Sequence, residues 1–291
     1  NEIIGIVSAA LIVLIPRYFL QPLHQGFYCD DDTIRRPYHE STVPSYALII
    51  SLLTIPPLTI VLTEMYRSSC IIELYSWKGY NISPVFANSL KYYGYHLLAL
   101  LIALSMVQSS KYATGRLRPN FIDVCKPDIA LENCKDHIYV TDYKCLGDDQ
   151  KRIRDGRMSF YSGHAAYSLA AATFLVIYLH SRIPRKHCVT VIRSMLQVAI
   201  LCVGFYVGYT RVLNNKHHWT DVVVGYIAGM ATGYLTAMKI ANMQLPVEDF
   251  EEPDTDLPFI DSDESEGGDQ APPKYKTSVV RVEPTELRIF A

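Results

Sequence analysis

Charge is what this sequence has least of. Only 19% of its 291 residues are Asp, Glu, Lys or Arg, and they nearly cancel to a net charge of −2. A balance so close to zero gives no overall attraction to polyanions, which argues against a nucleic-acid partner. Cysteine is missing beside the histidines of the 211–221 stretch, and spare acids are few there, which argues against a bound metal. No cofactor is expected. Glycosylation sequons are nearly absent as well. The one Asn-x-Ser/Thr is Asn81-Ile82-Ser83, followed by Pro84, and it is expected to stay unmodified. The chain opens on Asn1 rather than Met, so upstream residues are expected and no leader can be judged.

The absence of charge over long stretches is the most informative. None occurs from Tyr46 to Thr63. A spanning helix needs roughly 20 mostly apolar residues. Six segments qualify: Ile3–Leu20, Tyr46–Glu64, Leu90–Ser109, Gly163–His180, Met195–Thr210 and Val222–Met238. They show little polar face at helical period, which argues against a soluble bundle. The fourth and sixth are rich in Gly, Ala, Ser and Thr, so helices approach closely and room remains for a homo-oligomer. Pro16 and the Pro56-Pro57 pair are predicted to kink their helices. The expectation is an all-α, polytopic membrane protein with six transmembrane helices over residues 1–240 and a tail over 241–291.

With six spans, the 1–2, 3–4 and 5–6 connections share one side, and the other connections and both termini share the opposite side. The 4–5 loop carries Arg182, Arg185, Lys186 and Arg193 without an acid, and the 2–3 loop carries Arg67, Lys78 and Lys91. The positive-inside tendency makes that side, and both termini, cytoplasmic. The 3–4 loop is also basic, but long loops translocate largely regardless of charge. Cys29, Cys125, Cys134 and Cys145 all fall on the other, exoplasmic side, and at least one disulfide is predicted among them. The 3–4 loop, Ser110 to Tyr161, is long enough to be functional or partly folded.

From Pro246 to Gln270 the tail holds eleven acids and no Lys or Arg. Such a segment buries too little apolar surface to fold and is read as disordered. Pro272-Pro273-Lys274-Tyr275 matches a Pro-rich ligand of WW domains, a four-residue pattern that a Pro-rich tail also produces by chance.

Three short segments carry chemistry. In Lys111-Tyr-Ala-Thr-Gly-Arg-Leu-Arg118-Pro119, Lys111 and Arg118 share a face if the third helix continues. Three cations at a membrane surface also suit anionic head groups. In Ser159-Phe-Tyr-Ser162-Gly163-His164, Ser162 and Gly163 open the fourth span. A helix start binds anions through unpaired N–H groups, although Ser162 also reads as a plain cap. His164 is an ionisable residue at the mouth of an apolar helix. In Arg211 to Asp221, His217 and Asp221 stand four apart, so a helix would let the acid orient the imidazole. His218 competes for that role, and an interfacial aromatic belt is the plainer reading of His217-His218-Trp219. By parity all three segments lie on one side. Together they describe a site for a phosphoryl group, with Lys111, Arg118, Arg211 and the Ser162–Gly163 backbone meeting its negative charge.

Lys-x6-Arg-Pro, Ser-Gly-His and Arg-x5-His-x3-Asp resemble the three signatures of the type 2 phosphatidate phosphatases. The animal lipid phosphate phosphatase branch is similar from the first span to the sixth, including Gly26-Phe27-Tyr28-Cys29 and Lys216-His217-His218-Trp219. Tyr161 stands where many members have Pro, and Thr210 where many have Ser. The resemblance implies a helical-bundle phosphatase core. It also implies metal-independent hydrolysis of phosphatidate, lysophosphatidate, sphingosine 1-phosphate or ceramide 1-phosphate. In that scheme His217 attacks phosphorus, Asp221 orients it, and His164 protonates the leaving alkoxide. A lipid head-group transferase and a non-enzymatic membrane scaffold are the competing readings. The plasma membrane, with the site facing outward, is the expected location.

Overall fold

The computed structural model of the chain describes residues 21–77, 80–129, 137–184, 187–243 and 279–281. The predicted first span, Ile3–Leu20, and the Pro272–Tyr275 pattern lie outside these residues. The described chain is mostly helical. In order it forms β1 (Phe27–Tyr28), α1 (Ser45–Cys70), β2 (Ile72–Trp77), β3 (Tyr80–Ile82), α2 (Pro84–Thr114) and α3 (Phe121–Cys125). There follow β4 (Tyr139–Val140), α4 (Gln150–Gly156), α5 (Gly163–Arg182), α6 (His187–Leu213), α7 (Trp219–Leu235), a π-helical turn (Thr236–Ile240) and β5 (Val279–Arg281). Five predicted spans therefore fall on α1, α2, α5, α6 and α7. Among the described residues, three helical segments are long and apolar enough to cross a membrane: α1, α2 and Val189–Leu213 of α6. Their outer faces expose Ile49, Leu58, Met195 and Val203, large side chains that only lipid would cover.

Helix α5 is the axis of the bundle. Its buried residues Ala165, Ala166 and Ala170 meet α7, whose Gly225, Gly229 and Gly233 recur every fourth residue. A Cβ on these glycines would run into the carbonyls of Ser162, Ala166 and Ala170 in turn. Small residues at helical spacing thus bring the two backbones together, as the composition of the fourth and sixth spans predicted. The inner core below them gathers Ile60, Tyr92, Ala99, Phe174, Tyr178 and Leu179.

Pro56 and Pro57 lie inside α1, which continues through both. Each proline lacks the N–H that would reach back four residues, leaving the carbonyls of Leu52 and Leu53 without their helical donors. Side chains of α2 replace them. His96 Nε2 donates to Leu52 O at 3.2 Å, and Tyr93 Oη donates to Leu53 O at 3.4 Å. His96 is fully buried, so its ring both fills space and satisfies a backbone group that lipid could not.

The connection from α2 to α5 folds, together with the segment that carries β1, as a small cap. β1 and β4 pair antiparallel, Phe27 opposite Val140, over a core of Phe27, Ile34, Leu117, Phe121 and Tyr143. Cys125 and Cys145 form the predicted kind of disulfide there, and Cys29 is disulfide-bonded as well. Cys134 lies outside the described residues.

At the opposite end of the bundle a buried ion cluster joins α1, α2 and α5. Glu64 accepts from Arg182 at 2.9 and 2.8 Å and from Tyr178 Oη at 2.7 Å. Glu73 on β2 accepts from Arg67 at 3.0 Å and from Asn88 at 2.9 Å. Two of the basic residues counted in the connection from α5 to α6 have partners inside the bundle. Arg182 is neutralised, and Arg193 is buried and donates to the Ile183 carbonyl at 3.3 Å. The tail departs from expectation at two places. Ala241 and Met243 pack into the core, past the predicted boundary at 240, and Val279–Arg281 pairs parallel with β2, Ile72 opposite Val279.

His96→Phe keeps the ring volume and removes the donor to Leu52. It should cost about 1–3 kcal/mol, read as a lowered Tm in detergent. Tyr93→Phe, which removes a longer and more exposed contact, should cost less.

Candidate active site

The first segment ends a helix rather than continuing it. α2 stops at Thr114, and Gly115 takes a left-handed conformation, φ 59°, with its N–H on the Lys111 carbonyl at 3.2 Å. A side chain there would also meet the Leu23 backbone, so glycine is required twice over. The turn replaces the shared helical face expected of Lys111 and Arg118. Lys111 remains in the last turn of α2, while Arg118 is held on the cap by its N–H to the Gly156 carbonyl at 2.8 Å. Arg118 is 5% exposed.

The second segment caps α5. Ser162 is the N-cap, its hydroxyl accepts from Ala165 N at 3.5 Å, and its own N–H donates to the Asp221 carbonyl at 3.0 Å. Gly163 begins the helix, buried with it. His164 turns toward the segment before α1 and donates from Nε2 to the Val43 carbonyl at 3.1 Å. Arg211, at the end of α6, donates to the same carbonyl at 3.4 Å. One backbone oxygen is therefore shared by a histidine and a guanidinium from different helices. Thr42 is pinned beside it by Asn214, which accepts its N–H at 3.0 Å and donates to its hydroxyl at 3.1 Å.

The third segment folds back sharply between α6 and α7. Asn215 adopts φ 53°, and the N–H groups of Lys216 and His217 both return to the Arg211 carbonyl. This places His217, 3% exposed, under the cap. Its Nδ1–H donates to the Ser159 carbonyl at 2.7 Å, which leaves Nε2 with the lone pair. Asp221 is the surprise. Its carboxylate stands 3.9 Å from His217 Nδ1, beyond hydrogen-bond range. It accepts instead from Arg116 Nη1 at 2.5 Å, from Ser159 Oγ at 2.5 Å and from His218 N at 3.1 Å. The spacing of four expected from a helix does not apply, because α7 starts only at Trp219 and His217 precedes it. His218 is spent elsewhere, donating from Nε2 to the Leu117 carbonyl of the cap at 3.1 Å.

The electrostatics separate the two histidines further. Burial is the main force that pushes His217 down to about 3, and the charges of Arg118, Lys111 and Arg211 add to it. Asp221 pulls the other way without prevailing. A neutral imidazole thus stands among cations. Lys216 joins them, buried at 5% exposure, with its ammonium 3.4 Å from the Tyr38 ring centre. Burial, with Arg118 and Arg211, lowers it to about 8. The Nε atoms of Arg118 and Arg211 are buried with no hydrogen-bond partner. Two guanidinium donors left over at one place are what an anion would complete. Among the described residues, no group of three His, Cys, Asp or Glu could hold a metal ion.

The family model of the PAP2 superfamily matches residues 92–243, which span all three segments. The chain belongs to the PAP2 superfamily. It is 34% identical over 241 residues to phospholipid phosphatase 1 of Mus musculus, covering 83% of each chain. It is 33% identical over 241 residues to phospholipid phosphatase 2 of Bos taurus, covering 83% of this chain and 82% of that one. Phospholipid phosphatase homolog 1.2 homolog of Caenorhabditis elegans is 33% identical over 228 residues, covering 76% and 66%. No solved structure matches significantly. The chain is a membrane phosphatase of this superfamily.

Several groups around the centre of this PAP2 phosphatase carried no role in the sequence reading. Arg116, Ser159 and Lys216 sit inside the three segments, so their position was on view but not their partners. Asp155 and the Val43 carbonyl had no signal at all.

A pH dependence follows from His217. Its native value near 3 lies below the ordinary 6.5, so the unfolded chain binds a proton that the native one refuses. Stability should fall as pH drops from about 6.5 toward 3. His217→Asn, which does not titrate, should make the fall of Tm between pH 7 and 5 shallower.

Proposed function

We propose that this phosphatase hydrolyses lipid phosphomonoesters through a phosphohistidine on His217. The substrates are lipids of the phosphatidate, lysophosphatidate, sphingosine 1-phosphate and ceramide 1-phosphate type. The observation that carries the proposal is the state of His217. It is a buried, neutral imidazole with Nδ1–H held by the Ser159 carbonyl, standing beside Lys111, Arg118, Arg211 and Lys216. A neutral Nε2 is a nucleophile, and fixed cations stabilise the charge spread over the phosphoryl oxygens as the bond shifts.

In the first step the Nε2 lone pair attacks phosphorus and the P–O bond to the lipid breaks. The departing alkoxide takes a proton from His164, whose imidazolium form is favoured only once the negative charge of the bound substrate faces it. The Val43 carbonyl now at His164 Nε2 and Arg211 marks where a substrate oxygen has to enter. In the second step neutral His164 takes a proton from water, whose oxygen attacks the phosphohistidine and frees phosphate. His217 returns to its neutral state and His164 to its protonated one. Asp221 acts from 3.9 Å, as a charge rather than as a hydrogen-bond acceptor. The mechanism uses no metal.

The proposed setting is six spans, an exoplasmic site and cytoplasmic termini at the plasma membrane. The Cys125–Cys145 disulfide supports the exoplasmic assignment, since it lies in the cap that covers the site and such bonds persist in oxidising compartments. The pairing of β5 with β2 supports the parity, since it puts Val279–Arg281 of the tail beside the connection from α1 to α2, at the end away from the cap.

Purified protein should release phosphate from lysophosphatidate in the presence of a chelator, and loss of activity on chelation would exclude the metal-free route. His217→Ala should lower kcat by at least about 10³-fold, because the covalent path is gone. Asp221→Asn should lower it less, about 10–100-fold, as a charge at a distance and a support for Ser159.

Intact cells should hydrolyse a water-soluble lipid phosphate without permeabilisation. A requirement for permeabilisation would reverse the orientation.

A further inference from the structure

The cations read as phosphate ligands have a second acid among them besides Asp221. Asp155 is the penultimate residue of α4, a helix anchored twice to the strand of chain that carries Arg118. The Gly156 carbonyl receives Arg118 N at 2.8 Å, and Phe121 packs against Gly156. From there Asp155 Oδ1 accepts from Arg118 Nη2 at 2.8 Å. The acid is half exposed, whereas Arg118 is buried. Burial alone would raise the Asp155 carboxyl, but Arg118, Lys111, His217 and Lys216 together hold it below its ordinary value. It is thus ionised at neutral pH, inside the same group of charges that His217 feels.

The geometry of the guanidinium makes this pairing consequential. A phosphate binds Arg best through two parallel N–H bonds, and Nε with Nη2 form the side-on fork. In Arg118, Asp155 holds the Nη2 half, and the Nε half is buried with no partner. A carboxylate on Nη2 competes, in charge and in space, with a phosphate that takes Nε and Nη2 together. A phosphate-binding guanidinium without a carboxylate of its own would also bind the inorganic product tightly, since phosphate and substrate present the same oxygens.

We propose that Asp155 is an internal competitor for the phosphate, holding Arg118 Nη2 until a phosphoryl group takes the full fork and reclaiming it as phosphate leaves. Asp155 is in these terms a positioning residue that acts through Arg118, and it sets the affinity for product as well as substrate. The inference rests on the reading of Arg118 as a phosphate ligand.

The test uses the full chain in detergent and inorganic phosphate as the probe, followed as phosphate-dependent stabilisation in thermal unfolding and as product inhibition of turnover. Asp155→Asn keeps the shape and removes the charge. It should bind phosphate about tenfold more tightly, the scale of one charged hydrogen bond, with KM falling in parallel and kcat falling where product release limits turnover. Asp155→Ala should do the same, and Asp155→Glu should stay near the parent protein. If Asp155 merely aligned Arg118, both neutral variants would bind phosphate more weakly, and that result overturns the proposal. Unchanged phosphate affinity overturns it equally. Arg118→Ala separates the two readings. If it weakens phosphate binding and Asp155→Asn does not strengthen it, only the competitor role fails. If phosphate stabilises neither the parent nor any variant, the phosphate site itself fails and the competitor with it.

Discussion

The carbonyl of Ser159 is the contact around which the site is built. It accepts the Nδ1–H of His217 at 2.7 Å, while the hydroxyl of the same residue donates to Asp221 at 2.5 Å. One residue of the cap thus fixes the tautomer of the imidazole with its backbone and the position of the acid with its side chain. Ser159 is itself held, since its N–H donates to the Arg116 carbonyl at 2.9 Å while Arg116 Nη1 grips Asp221. The loop is closed over residues from all three chemical segments, and all of them are buried apart from the partly exposed Arg116. In a low-dielectric setting such a ring of charge-assisted bonds leaves few alternative arrangements.

The membrane bundle serves this arrangement by placing three helix ends together. α2 ends at Lys111–Gly115, α5 begins at Ser162, and α6 ends at Arg211. The glycines of α7 let it lie against α5 closely enough for Ser162 N to donate to the Asp221 carbonyl. The cap, closed by the Cys125–Cys145 bridge, then brings Arg118, Asp155 and Ser159 down over those ends. The buried Glu64–Arg182 pair ties the far ends of α1 and α5, so the bundle is fastened at both ends. A buried ion pair of this kind is weak evidence for stability, but removal of one partner would strand the other.

Much of the plan was legible. Long apolar runs marked α1, α2 and α6 because lipid tolerates little else over that length. The every-fourth glycines of α7 marked a close helix pair. Lys111, Arg118, Ser162, His164, Arg211, His217 and Asp221 could be picked out as candidates from residue type and order, and the fold brings the helix ends that carry Lys111, Ser162 and Arg211 to one end of the bundle. The condition under which two pairs would share a helix face, that the helix continues between them, is not met. Gly115 ended the helix between Lys111 and Arg118, and α7 began too late to bring Asp221 over His217. Spacing in sequence reports a shared face only while the helix lasts, and these pairs straddle helix ends.

The sequence by itself determined the class of molecule and the chemical inventory: a helical membrane protein with cations, two histidines and an acid in three short segments, and cysteines able to bridge. Those properties follow from composition and residue type, which survive without coordinates. Tertiary structure alone decided the partners. That His217 leans on a backbone carbonyl, that Val43 presents its oxygen to His164 and Arg211, that Asp221 belongs to Arg116, and that Asp155 reaches Arg118 are all contacts between distant segments. Two of the acceptors are main-chain oxygens, which every residue carries and no side-chain pattern reveals. The choice among many equivalent acceptors is made only when packing brings one of them within hydrogen-bond reach.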